Sequence, residues 1–325
     1  MPGAVGQRSE RDALFDVYAK NLHAHFPEYE GMFACPLCGR LFPRDAIDSG
    51  DVTIEHIIPK SIGGKLETLT CRSCNSRAGT EPDAPIVQRL RVEDTLSGEG
   101  DAPLRITFTV GVGETFADIY FSTHGTTPTK VHGIRRLFHR ARHRQAPKAL
   151  YSGTQVFSLH ANLGYKSQRS HVALVRSAYL MLFRYFGYGY IKYSMANEVR
   201  GQIGNPDEQS EVMRGVTRLD SRPEIPNGVA ILTNPRDLRC FFVFLDFSRE
   251  TENYFGVAMP GLDEHADALY TRLGAWTDRF GKTLDAELVP VPFIPELLTN
   301  PGLKDQPVRI WNRLTARRHR VISRA

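Results

Sequence analysis

Four cysteines carry the first chemical signal in this chain of 325 residues. They form two Cys-x-x-Cys pairs, Cys35-Pro36-Leu37-Cys38 and Cys71-Arg72-Ser73-Cys74. Each pair can offer two thiolates from one tight turn, and two such turns complete a tetrahedron around Zn²⁺. A thiol–disulfide redox role accounts for one pair, but not for two that enclose an acid–histidine dyad. Four cysteines leave no open coordination position, so the zinc is expected to be structural, stapling a small fold that has little core of its own. Catalysis then needs other residues. Glu55-His56 lies between the pairs, and Asn75 directly follows the last cysteine. The carboxylate of Glu55 and the amide oxygen of Asn75 suit a hard cation, Mg²⁺ or Mn²⁺, which keeps several waters and needs few protein ligands. His56 remains as a general base, because its ordinary pKa lies near neutrality.

These residues need elements to hold them. Residues 8–25 read as a helix capped by Ser9, with Leu14, Tyr18, Leu22 and His25 at core-facing spacing. Two β-like runs follow, 52–58 and 66–70, with Gly63-Gly64 marking a turn between them. A short helix is expected from about Cys74 to Gly79. Consecutive strand residues point to opposite faces, so Glu55 and His56 can share a site only if the strand ends there. A boundary is expected in the polar stretch 97–101, dividing a unit of residues 1–96 from one of residues 97–325; the alternative is a surface loop within one domain.

The second unit reads as mixed. Strands are suggested at 104–112, 116–121, 155–159, 229–232, 240–247 and 254–259, and helices at about 168–186 and 263–280. Strands do not alternate regularly with helices, which is an α+β pattern. The run 172–191 is the most apolar, yet it contains Arg176 and Arg184, so a buried central helix is expected rather than a membrane span. The aromatic residues Phe183 to Tyr193 and the lone Cys240 are expected to be core. The N-terminus shows no secretory pattern, which makes a reduced cytoplasmic setting the expectation.

Hydrophobic residues make up 41% and charged residues 24% of the chain, which excludes wholesale disorder. Lys and Arg number 41 against 36 acids, a net charge of +5. The excess is concentrated. Residues 130–148, with Arg135, Arg136, Arg140, Arg142 and Arg144, contain no acid, and neither do residues 307–325. Concentrated positive charge on an otherwise acidic body suits a polyanion, and DNA is the expected partner.

The stretch from about Phe33 to Thr80 resembles the HNH, or ββα-metal, endonucleases. More narrowly it resembles their four-cysteine zinc branch, which includes endonuclease VII and McrA-like nucleases. The matching residues are Cys35, Cys38, the run Glu55-His56-Ile57-Ile58-Pro59-Lys60, Gly63-Gly64, and the run from Cys71 through Asn75 to Gly79. The resemblance implies metal-dependent hydrolysis of phosphodiester bonds in DNA. It makes His56 the base that activates water, Glu55 and Asn75 the ligands of the catalytic ion, and the four cysteines the zinc ligands. Lys60 and Arg77 would contact the nucleic acid. Many members carry Asp where Glu55 stands. Many also have an Asn before the second cysteine pair that orients the histidine. Residues 65–70 contain no Asn, so Thr68, Thr70 or a backbone group is expected to do this.

The expected protein is therefore α+β, a small zinc-stapled ββα-metal module followed by a larger mixed domain. That domain would position DNA, or bind an effector or partner protein. Nuclease modules joined to such a domain suggest restriction or antiphage defence. The rival expectations are a non-catalytic zinc protein that binds nucleic acid, and a nuclease gated by a sensing C-terminal domain.

Overall fold

The computed structural model describes residues 3–97, 104–110, 113–122, 130–138, 158–160, 167–193, 195–249, 251–263, 268–280 and 285–316. The first helix, α1 (Gly3–His25), starts earlier than the sequence suggests. Ser9 falls inside it, since residues 3–8 already continue the helical pattern, and so Ser9 is not its cap. Phe15, Tyr18, Ala19 and Leu22 are apolar residues buried on it. That i, i+3, i+4, i+7 spacing gives a helix one apolar stripe to bury. Leu14 and His25 are only half-buried at its margins.

Two short strands, β1 (Phe33–Ala34) and β2 (Leu41–Phe42), pair around the first cysteine turn. The hairpin of β3 (Val52–His56) and β4 (Glu67–Cys71) follows, antiparallel, with Glu55 opposite Thr68 and His56 opposite Glu67. The connection between them closes on itself at Gly63 and Gly64. Gly63 has φ +88°, the left-handed region that glycine enters without steric cost. A Cβ on Gly64 would lie 1.8 Å from the Ile58 carbonyl oxygen, so only glycine fits that approach. Helix α2 (Arg72–Thr80) begins two residues before the expected start, because it follows β4 without a linker and Cys71 is its N-cap. Helix α3 (Asp83–Ser97) was not anticipated.

The larger part contains a four-stranded antiparallel sheet, β5 (Leu104–Val110), β6 (Gly113–Ser122), β7 (Lys130–Phe138) and β8 (Ser158–His160), in the order β7-β6-β5-β8. The central helix α4 (Ser167–Phe186) is buried along nearly its whole length. A second antiparallel sheet has five strands, β9 (Val216–Leu219), β10 (Val229–Asn234), β11 (Cys240–Asp246), β12 (Tyr254–Met259) and β13 (Glu287–Val291), ordered β13-β10-β11-β12-β9. Phe241 on β11 meets Phe186 at 5.3 Å and Trp311 at 5.0 Å between ring centroids. Further helices include Met195–Gly204, Leu269–Phe280 and Gln306–Thr315. The architecture is therefore the expected α+β.

One continuous core joins α1, the β3–β4 hairpin, α3, α4 and the five-stranded sheet. Tyr18 stacks on Phe183 at 4.5 Å, and Ser177 donates a hydrogen bond to the Ile57 carbonyl at 2.6 Å. The central helix thus lies directly behind the hairpin that carries Glu55 and His56. Phe183, Tyr185, Phe186, Tyr188, Tyr190 and Cys240 are buried, as the sequence suggested. No helix among the described residues is long and apolar enough to cross a membrane.

Candidate active site and metal centre

The cysteine turns come together as the spacing predicts. The Sγ atoms of Cys35, Cys38, Cys71 and Cys74 all lie within 4.8 Å of one another. Those of Cys38 and Cys71 are 3.8 Å apart. Zinc–sulfur bonds of about 2.3 Å give a tetrahedron with edges of about 3.8 Å, so the cluster has the size that zinc requires. Gly39, at φ +73°, turns the first pair, and its N–H donates to the Cys35 carbonyl at 2.8 Å. The second pair spans the junction of β4 and α2. Arg40 adds a cation, donating to the sulfurs of Cys38 at 3.5 Å and Cys71 at 3.4 Å. Hydrogen bonding within the cluster, led by Cys35, pulls the Cys38 and Cys71 thiols below their ordinary value, while the thiols of Cys35 and Cys74 are pushed above it. The thiolate is the form that binds metal.

Beside the cluster lies a cleft of about 360 Å³ lined by Glu55, His56, Lys60, Asn75 and Asp83, among others. β3 ends at His56, which lets two consecutive residues reach one cleft. Asn75 sits one residue past Cys74 in the first turns of α2, so the cluster that holds the helix also places the amide. Its Nδ2 donates to Thr53 Oγ1 at 3.0 Å and to the Ile54 carbonyl at 2.7 Å. Those two bonds fix the amide plane and leave Oδ1 as its open acceptor. His56 is half-buried. Burial, helped by the nearby charge of Lys60, lowers its pKa from the ordinary 6.5, which favours the neutral ring.

Glu55 is more enclosed than the sequence suggested. It is buried, and Arg176 of α4 is ion-paired to its Oε1. Thr70 donates to Oε2 at 3.3 Å. Arg176, fully buried, also donates to both carboxylate oxygens of Asp83, at 3.1 and 3.3 Å. Burial pushes Asp83 up to about 7 and Arg176 down to about 10, so Arg176 stays protonated at neutral pH. The donor types of Glu55 and Asn75 fit a hard cation, and each carboxylate oxygen retains a further lone pair. An ion there shares Glu55 with a buried guanidinium.

The expected partners of His56 are not where the sequence placed them. Thr68 hydrogen-bonds Tyr18 at 2.9 Å, and Thr70 bonds Glu55. Pairing sets Thr68 across from Glu55 and Thr70 across from Thr53, so both threonines share the face of Glu55. Glu67, across from His56, shares the histidine's face. Its Oε1 is 3.0 Å from His56 Nε2. Sequence reasoning missed Glu67, Asp83 and Arg176. Only Arg176 left a signal, as a charge inside an apolar helix that demands a buried partner.

Lys60 lies on the lip of the cleft, and Arg77 is exposed, 4.0 Å from Glu81. Arg135 and Arg136 belong to β7, and their side chains lie outside the described residues. Arg140, Arg142 and Arg144 lie outside them altogether.

Residues 35–91 match the family model of the HNH endonucleases. No curated protein and no solved structure matches the chain. The matched segment runs from Cys35 into α3 and contains the whole hairpin, α2 and the cleft residues Glu55, His56, Asn75 and Asp83. This segment is an HNH nuclease module with a four-cysteine cluster fit for structural zinc, followed by a larger mixed domain. A module of this family acts on nucleic acid.

Proposed function

We propose that the protein is a metal-dependent endonuclease that hydrolyses phosphodiester bonds in DNA, with His56 as general base. The observation that carries the reading is the meeting of His56, Glu55 and Asn75 in one cleft beside the zinc-sized cysteine cluster. A neutral His56 takes a proton from water, and the resulting hydroxide attacks the phosphorus as the bond to the leaving oxygen breaks. A Mg²⁺ or Mn²⁺ ion held by Glu55 and Asn75 supplies charge for the scissile phosphate. Lys60, on the lip of the cleft, and the exposed Arg77 would contact the strand, and the basic run with Arg135, Arg136, Arg140, Arg142 and Arg144 would add affinity without sequence preference. We take residues 1–96 as the nuclease unit and residues 97–325 as the part that holds DNA, a partner protein or an effector. The setting is a cytoplasmic one, in restriction or antiphage defence. One module cuts one strand at a time.

A second reading is favoured by the engagement of both Glu55 oxygens. Arg176 belongs to the larger domain's central helix, so that domain can gate the site, or hold it as a non-catalytic module that binds nucleic acid. Incubation of supercoiled plasmid with Mg²⁺, Mn²⁺ or EDTA separates the readings. Cation-dependent nicking supports the enzyme. Salt-sensitive binding without nicking supports the silent or gated module.

A further inference from the structure

We infer that Glu67 is the positioning residue that orients His56 for proton transfer, an inference that rests on the nuclease reading above. Three observations carry it. The β3–β4 register puts Glu67 directly across from His56, where side chains on one face of an antiparallel pair meet. Glu67 Oε1 lies 3.0 Å from His56 Nε2, and both side chains are about three-quarters enclosed. His56 lines the cleft, whereas Glu67 does not.

The carboxylate is thus placed to accept a proton carried on Nε2, which would fix the ring plane and its tautomer. Nδ1 is left without a proton and can accept one from water in the cleft. When it does, the imidazolium is stabilised by the carboxylate charge beside Nε2. The Arg184 guanidinium donates to the Glu67 backbone carbonyl at 2.9 Å. Burial, with the Glu10 carboxyl of α1 alongside, raises the Glu67 carboxyl pKa. The charged groups that face the dyad are thus Glu10 from α1, Lys60 from the hairpin connection and Arg184 from α4.

The test uses the full zinc-loaded chain as wild type, E67A, E67Q and H56A, with ¹⁵N-labelled histidine. The ring signal of His56 is identified by its loss in H56A. E67A is expected to move that ¹⁵N signal and to lower kcat about 10–100-fold at unchanged KM and zinc content. E67Q, which keeps an acceptor oxygen without its charge, is expected to fall between E67A and wild type. A His56 signal in E67A identical to wild type would overturn the inference, because a purely structural glutamate has no means of moving it. Cleavage by H56A at the wild-type rate would remove the base, and with it the role assigned to Glu67. That failure of the nuclease reading is distinct, because the ring signal reports the contact whether or not DNA is cut.

Discussion

Arg176, in the middle of the central helix, forms a buried ion pair with Glu55 at the end of the nuclease hairpin. The two residues lie 121 positions apart in the chain. Asp83 completes the group from α3. One guanidinium thus ties the hairpin, α3 and the larger domain together beside the cleft.

Removing Arg176 leaves two buried carboxylates without a counter-charge. R176M is therefore expected to lose about 3–5 kcal/mol of stability in urea unfolding. Neutralising all three positions in R176M/E55Q/D83N removes the unpaired charges and is expected to recover most of that loss. A single-variant loss below about 1 kcal/mol, the level of an exposed pair, would show that the network is solvated.

The cysteine cluster is expected to hold one zinc per chain. C35S or C74S should lose the metal and lower the melting temperature, and a strong chelator should do the same to wild type. Metal analysis with parallel melting curves checks this. Full stability in C35S would contradict a structural zinc.

Asn75 links the cysteine cluster to the cleft, since it follows Cys74 and lines the cleft beside Glu55 and His56. N75A is expected to keep its zinc but to need more Mg²⁺ for half-maximal cleavage, with a rate lower by about 10²-fold. An unchanged Mg²⁺ requirement would exclude Asn75 as a ligand.

His25 makes stability depend on pH. Burial, with Lys192 and Lys304 nearby, lowers its pKa from 6.5 to about 4. The unfolded chain then binds a proton in the window where the folded chain does not, so its contribution is complete above about 6.5 and is lost as pH falls towards 4. The difference in melting temperature between wild type and H25Q should shrink across that window. A constant difference would contradict the shift.

Much of the site was legible because its spacing is local. Two Cys-x-x-Cys turns, an acid–histidine pair at a strand end and an Asn after the last cysteine define the module within about fifty residues. The strands around Ile231, Val243 and Val257 were also legible, as they are short apolar runs. Residues that reach the site from elsewhere were not. Glu67 depends on which residue faces His56 across the hairpin, and register is a property of pairing rather than of either strand. Asp83 sits on a helix that looked like a proline-rich connection. Arg176 lies 120 positions beyond His56, and only its burial in an apolar helix hinted at a partner. The missed strands β7, β9 and β13 are edge strands, β7 within a run read only for its charge, and the missed β1 and β2 are two residues each.

The central claim is that His56 is the base of a metal-dependent nuclease. Its most direct test is cleavage of supercoiled plasmid by wild type and H56A, with Mg²⁺ or Mn²⁺ and with EDTA. Wild type is expected to nick the plasmid only with the cation. H56A should lose at least about 10²-fold in rate while keeping its zinc and its affinity for DNA. Equal cleavage by both proteins, or cleavage that survives EDTA, would contradict the account.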